Sequence, residues 1–212
     1  MTRLAPPPAT AARLGGVVLL LAGAAVLMGI VTAEALYPAP YTTGGNELSD
    51  LATPRPPGGD PLQPSATIFN LVVHGSGLAV LGAAWLVRRA LGRRSLSITL
   101  ALMGAGAVGV ALFPSGSGTI HVAFALLTFA AGGASALAAA RVTSAPFRYV
   151  SAALGIVSLA SLAWYIVLRE TGTPALLGGV ERWVAYPVVL WLVGFGGYLA
   201  ASGQAQSASI ER

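Results

Sequence analysis

The sequence predicts an all-α fold, one integral-membrane bundle of six transmembrane helices, and three observations carry that prediction. Of 212 residues, 55% are hydrophobic and only 9% are charged, against about 25% charged in ordinary soluble domains. The apolar residues gather into runs of roughly the length, about 20 residues, that crosses a bilayer as a helix. The arginines stand in short clusters at the ends of those runs, as membrane topology requires. A chain of this length makes one compact domain, here 14–201, between an N-terminal segment, 1–13, and a tail, 202–212.

Residues 1–13 are rich in Pro and Ala and basic at Arg3 and Arg13. The first span covers about 14–36. Within it Ala33-Glu34-Ala35 imitates an A-x-A cleavage site, but the h-region of a secretory signal runs about 7–15 residues. This apolar run is longer, so the span is expected to be retained. Residues 41–65, YTTGGNELSDLATPRPPGGDPLQPS, are the one long polar interruption and carry Glu47, Asp50 and Asp60, three of the seven acidic residues. The loop is expected to be ordered over the mouth of the bundle, with Ser49 capping a short helix that begins at Asp50.

The second span, about 66–87, ends at Arg88, Arg89, Arg93 and Arg94. The third, 96–113, is rich in Gly and Ala, and residues 114–118 read as a tight turn. The fourth span is 119–140, followed by Arg141, Pro146 and Arg148. The fifth is 149–168. A connection with TGTP and LGG turn signals leads to the sixth, 182–201, and the polar tail is expected to be disordered. Gly104-x-Gly106-x-x-Gly109 in the third span spells a dinucleotide fingerprint, but no strand precedes it. Close helix packing in lipid accounts for these glycines.

Orientation follows from arginine. With the N-terminus inside, Arg3, Arg13, Arg88, Arg89, Arg93, Arg94, Arg141, Arg148 and Arg212 are cytoplasmic, while Arg55, Arg169 and Arg182 are outside. This matches the positive-inside rule and places both termini in the cytoplasm and the 41–65 loop outside, the arrangement of a multi-pass membrane protein. The same clustering explains the net charge of +5 without nucleic acid as a partner. Membrane lipids are the expected partners, and no protein partner can be named. The absence of cysteine excludes disulfides, thiolate catalysis and Cys-ligated metals. All twelve basic residues are arginine, which excludes Schiff-base chemistry on lysine.

Polar groups in hydrocarbon are costly and usually face the protein interior. Asn70 and His74, four apart, share one face of the second span. His121 stands at the outer end of the fourth, and Ser158, Ser161, Tyr165 and Arg169 form a stripe up the fifth. Glu181-Arg182 opens the sixth. With Asn46, Ser49 and Asp50 of the loop, these lie in the outer half. Each has a structural alternative: His74 bonded to Asn70, His121 bracing its helix end, Glu181 and Arg182 as an interfacial ion pair. Their convergence on one side is what points to an outer pocket.

The residues also carry a resemblance. Asn46-Glu47-Leu48-Ser49-Asp50-Leu51 resembles the N-x-[IL]-S-D-L signature after the first span of the domain-of-unknown-function 998 family, six-span prokaryotic membrane proteins. Ser65 to Asn70 is similar to that family's entry into span two. Leu112-Phe113-Pro114 with His121 and Ala125 resembles its LFP…H-x-x-x-A element, and Glu181-Arg182 with Tyr186-Pro187 and Trp191 its last span. Relatives place an Asp after the LFP element, where this chain has Ser115-Gly116-Ser117-Gly118. His121 is supported by the resemblance and His74 is not. The family assigns no reaction.

Two functions follow from the site residues. One is hydrolysis of a lipid or other amphiphile, with His121, Asp50, Ser49 and Glu181 as catalytic candidates; His74, His121 and Asp50 would be the ligands if zinc activates the water. The other is a non-catalytic lipid-headgroup- or partner-binding accessory protein, with Asn46, Asn70, His74, Tyr165, Arg169 and Arg182 around the ligand and the two arginines positioned for phosphate. A bis-imidazole haem on His74 and His121 has no cytochrome motif behind it. A transporter is disfavoured because the cytoplasmic half lacks polar residues for a path.

Overall fold

In hydrocarbon every backbone N–H and C=O must find its partner within the protein, and an isolated apolar segment can do so only as a helix. The six apolar runs accordingly form α1 (Pro8–Ala35), α2 (Ser65–Leu91), α3 (Arg94–Leu112), α4 (Thr119–Ala140), α5 (Phe147–Glu170) and α6 (Leu177–Ile210). The computed structural model describes residues 8–54, 59–172 and 174–210, with backbone alone at 174 and 204–210. Arg3, Arg55 and Arg212 of the charge pattern lie outside the described residues. All six helices are long and apolar enough to cross a membrane.

Two helices extend beyond their apolar runs. α1 is helical from Pro8, the first of the described residues, ahead of the apolar run that begins at 14. α6 starts at Leu177, so Glu181 and Arg182 lie inside it, and it continues to Ile210. The stretch beginning at 202 is therefore helical through Ile210 rather than disordered: it contains no proline, and its one glycine, Gly203, packs so closely on α1 that a Cβ there would lie 2.6 Å from the Ala9 carbonyl oxygen. The turn from α2 to α3 needs a left-handed residue, and Gly92 supplies it at φ 68, its N–H returning to the Arg88 carbonyl.

The helices form a ring in chain order, each packed on the next, and the ring closes where α6 meets α1. α6 also reaches α4 across the interior. The closing seam depends on two glycines. A Cβ on Gly16 would lie 2.5 Å from the Gly196 carbonyl oxygen, and one on Gly196 2.5 Å from that of Gly16. Small residues let backbones approach this closely, which is how helices associate in lipid. Away from the loop, Leu19, Val87, Leu100, Trp191 and Phe195 fill the interior, and the Trp191 indole N–H donates to Ser151 Oγ at 2.9 Å.

A second core lies at the loop end, and the loop itself supplies part of it. Leu48, Leu51 and Ala52 are buried with Ile30, Phe69 and Ala185. They belong to a short 3-10 helix, Leu48–Ala52, whose N-cap is Glu47, not Ser49. The reason is reciprocal capping: Asp50, three residues on, turns its Oδ2 back to accept the Glu47 N–H at 3.2 Å.

Candidate functional site

Arg182 is the anchor of the loop end. Its Nη1 donates to the carbonyls of Thr43, Asn46 and Gly178, each at 2.8 Å. Its Nη2 donates to the Tyr41 hydroxyl at 2.7 Å and to the Glu34 carboxylate at the end of α1. Successive residues on a helix project about 100° apart, so Glu181 and Arg182 face different neighbours. Arg182 pairs with Glu34, and Glu181 accepts the Leu48 N–H at the start of the 3-10 helix. Burial holds the Tyr41 phenol above its ordinary pKa, against the pull of the Arg182 guanidinium. Tyr41 therefore stays protonated and donates to the Glu47 carbonyl at 3.1 Å.

The Glu47 side chain makes the second clamp. Its Oε1 accepts the Tyr165 hydroxyl and the Arg169 guanidinium, the latter at 3.1 Å, and Arg169 also donates to Tyr165 OH at 2.6 Å. The polar stripe of α5 thus faces the loop at Tyr165 and Arg169, and α6 at Ser158, whose hydroxyl donates to the Val184 carbonyl at 2.8 Å. A third tether joins Thr53 Oγ1 to Ser115 Oγ in the turn between α3 and α4.

Two cavities meet beneath this loop. One, about 130 Å³, is enclosed by apolar side chains of α1, α2, α3, α4 and α6, among them Val26, Val80, Met103 and Val188. The other, about 350 Å³, lies between α4 and α5, with Glu47, Tyr165 and Arg169 on its polar side and Val122, Leu126 and Ile166 at its apolar rim. Those three rim residues are exposed on the surface that faces lipid. Ser49, His121 and Glu181 line both cavities and are themselves buried. His121 Nδ1 lies 2.7 Å from the Phe113 carbonyl oxygen. A carbonyl only accepts, so Nδ1 carries the proton and Nε2 of the neutral ring keeps its lone pair.

The description "protein of unknown function (DUF998)" belongs to a family whose model matches residues 20–198 of this chain. The chain belongs to the DUF998 family. No curated protein and no solved structure matches it.

In this DUF998 protein the expected site residues separate into groups. Ser49, His121 and Glu181 come together at the shared wall. Tyr165 and Arg169 line the cavity between α4 and α5, while both Nη atoms of Arg182 donate to acceptors of the protein itself and Arg182 lines neither cavity. Asn46 and Asp50 serve the loop: Asn46 Oδ1 accepts the Thr42 N–H at 2.9 Å and its Nδ2 donates to Asp50 Oδ2 at 3.0 Å. Asp50 lines neither cavity, because its carboxylate is turned back onto its own 3-10 helix. Asn70 and His74 also lie outside both cavity walls; His74 is half-buried on α2.

Among the described residues no three His, Asp or Glu side chains form a group able to hold a metal ion. His74, His121 and Asp50 are therefore not gathered as zinc ligands. Two residues that matter here were not marked as site candidates by the sequence. Glu34 reads there as part of a cleavage-like tripeptide, and Glu47 only as one of the loop's acids. The available signal for Glu34 was an acid at the loop end of one span, level with an arginine at the loop end of another.

Proposed function

We propose that this DUF998 protein takes up an amphiphile sideways from the membrane and hydrolyses it at the wall formed by Ser49, His121 and Glu181. The observation that carries the proposal is the junction of an apolar interior cavity with a polar one through these three buried residues. An apolar chain suits the first cavity, and a polar head suits the second beside Glu47, Tyr165 and Arg169. The apolar rim between α4 and α5 gives an entry from lipid. His121 supplies the chemistry: its free Nε2 takes a proton from water, the hydroxide adds to an acyl carbonyl, the C–O bond breaks, and the proton passes to the departing alcohol.

The second reading, binding without turnover, is favoured by the same two cavities if His121 serves only to brace the Phe113 carbonyl. One experiment separates them. The purified chain, reconstituted in lipid nanodiscs, is given a medium-chain p-nitrophenyl ester, with release of nitrophenol and quenching of tryptophan fluorescence followed in parallel. We expect turnover that falls about 10²–10⁴-fold in His121→Gln, the contribution of a general base, and that persists in Asp50→Asn at the wild-type melting temperature. Saturable quenching without turnover removes the hydrolytic step and leaves the binding protein. Neither signal removes both.

A further inference from the structure

A third cavity, about 460 Å³, lies at the end of the bundle away from the loop. Its wall is made by Arg93 from the turn between α2 and α3, Arg141 and Arg148 on either side of the connection from α4 to α5, and Thr143, Ser144 and Tyr198. The connection is held in place rather than trailing in solvent. The backbone N–H and hydroxyl of Ser144 each lie 3.1 Å from the Tyr198 hydroxyl. Thr143 is buried with its hydroxyl on the Ala139 carbonyl at 3.0 Å, and Phe147 stacks on Tyr198 with ring centroids 5.3 Å apart.

Three like charges from two separate connections are thus brought to one cavity, where they repel unless an anion joins them. Among the described residues the chain supplies none nearby. Its acids are Glu34, Glu47, Asp50, Asp60, Glu170, Glu181 and Glu211, none of them in these two connections. Among the described residues the ion pairs, Arg169–Glu47 and Arg182–Glu34, both lie at the loop end.

We infer that this cavity binds a phosphate-bearing anion. Guanidinium groups present planar pairs of donors that match phosphate oxygens, and the hydrogen-bonded Ser144–Tyr198 hydroxyl pair leaves one O–H as a neutral donor. The arginine distribution puts this face in the cytoplasm. There the phosphate can be the headgroup of an anionic phospholipid, which basic sites beside membrane helices attract, or a soluble phosphate.

The test uses the full chain in detergent, with phosphatidylglycerol, phosphatidylcholine and inorganic phosphate as probes, and native mass spectrometry and thermal unfolding as readouts. Phosphatidylglycerol should be retained at saturable stoichiometry and phosphatidylcholine should not. Each of Arg93→Gln, Arg141→Gln and Arg148→Gln should weaken retention roughly fivefold, the order expected per arginine at a membrane surface. Arg88→Gln with Arg89→Gln, which removes charge from the same face outside the cavity, should leave it unchanged. Arg148→Lys, which keeps the charge, should recover part of the loss, and melting in phosphatidylcholine shows that each variant is folded. Stabilisation by inorganic phosphate alone identifies a soluble source, and retention of the lipid without it identifies the headgroup. Equal weakening inside and outside the cavity, or retention of neither probe, overturns the inference.

Discussion

Arg182 holds three backbone carbonyls, a phenol and a carboxylate at once, and almost none of it reaches the surface. Removing one member of a buried charge pair leaves the other desolvated and unpaired, at a cost of about 3–5 kcal/mol. Arg182→Gln should lower stability by that order in detergent unfolding. Arg169→Gln should change it by less than about 1 kcal/mol, since that guanidinium is 46% exposed and its pair with Glu47 is screened. Equal effects would mean that the two clamps do not differ as described. His121, Glu181 and Arg182 were legible because a polar side chain in an apolar run is conspicuous. Glu34 was not, because its role depends on α1 lying beside α6, a neighbour far away in the sequence. Asp50 was legible as a polar residue of the loop, but not its local bonds: its Oδ2 accepts from the Asn46 side-chain amide and the Glu47 N–H, and local hydrogen bonds of this kind compete with distant ones.

At the scale of elements, the 3-10 helix of the loop and the first turns of α6 act as one unit. A Cβ on Gly178 would stand 2.0 Å from the Asn46 carbonyl oxygen, while one on Gly179 would meet nothing closer than 3.8 Å. Gly178→Ala must therefore push the loop off α6, with a cost of about 1–3 kcal/mol for forced overpacking and faster proteolysis of the loop. Gly179→Ala should behave as wild type in both measurements. Spans were readable from hydropathy, but helix ends were not. α6 gains a turn and a half before Arg182 because its start is fixed by Gly178 meeting the loop, not by its hydrophobicity. The Ser49 cap failed for a related reason: Glu47 and Asp50 stand three apart and cap each other, leaving Ser49 free to line the cavities.

For the whole molecule, the arginine asymmetry predicts which end faces the cell exterior, and the cysteine-free chain makes that easy to check. Asp60→Cys and Ser95→Cys each place one thiol at an exposed position. Thr53, another loop position, is half-buried and tied to Ser115 and so makes a poorer probe. On intact cells an impermeant maleimide should label Asp60→Cys and spare Ser95→Cys; the reverse pattern inverts the orientation. The count of spans was legible in the sequence, whereas their order around the ring was not, because six similar apolar faces carry little information about which neighbour each will take. The closure of that ring on itself also bears on how the protein is made. Its first and last helices are partners, yet a ribosome delivers them at opposite ends of synthesis. Until the sixth helix emerges, Glu34 has no arginine, the groove at Gly16 is unfilled, and the loop lacks the contacts that Glu181 and Arg182 supply. The bundle therefore matures in its final step, and a fault in the last helix to be born strands the five that came before it.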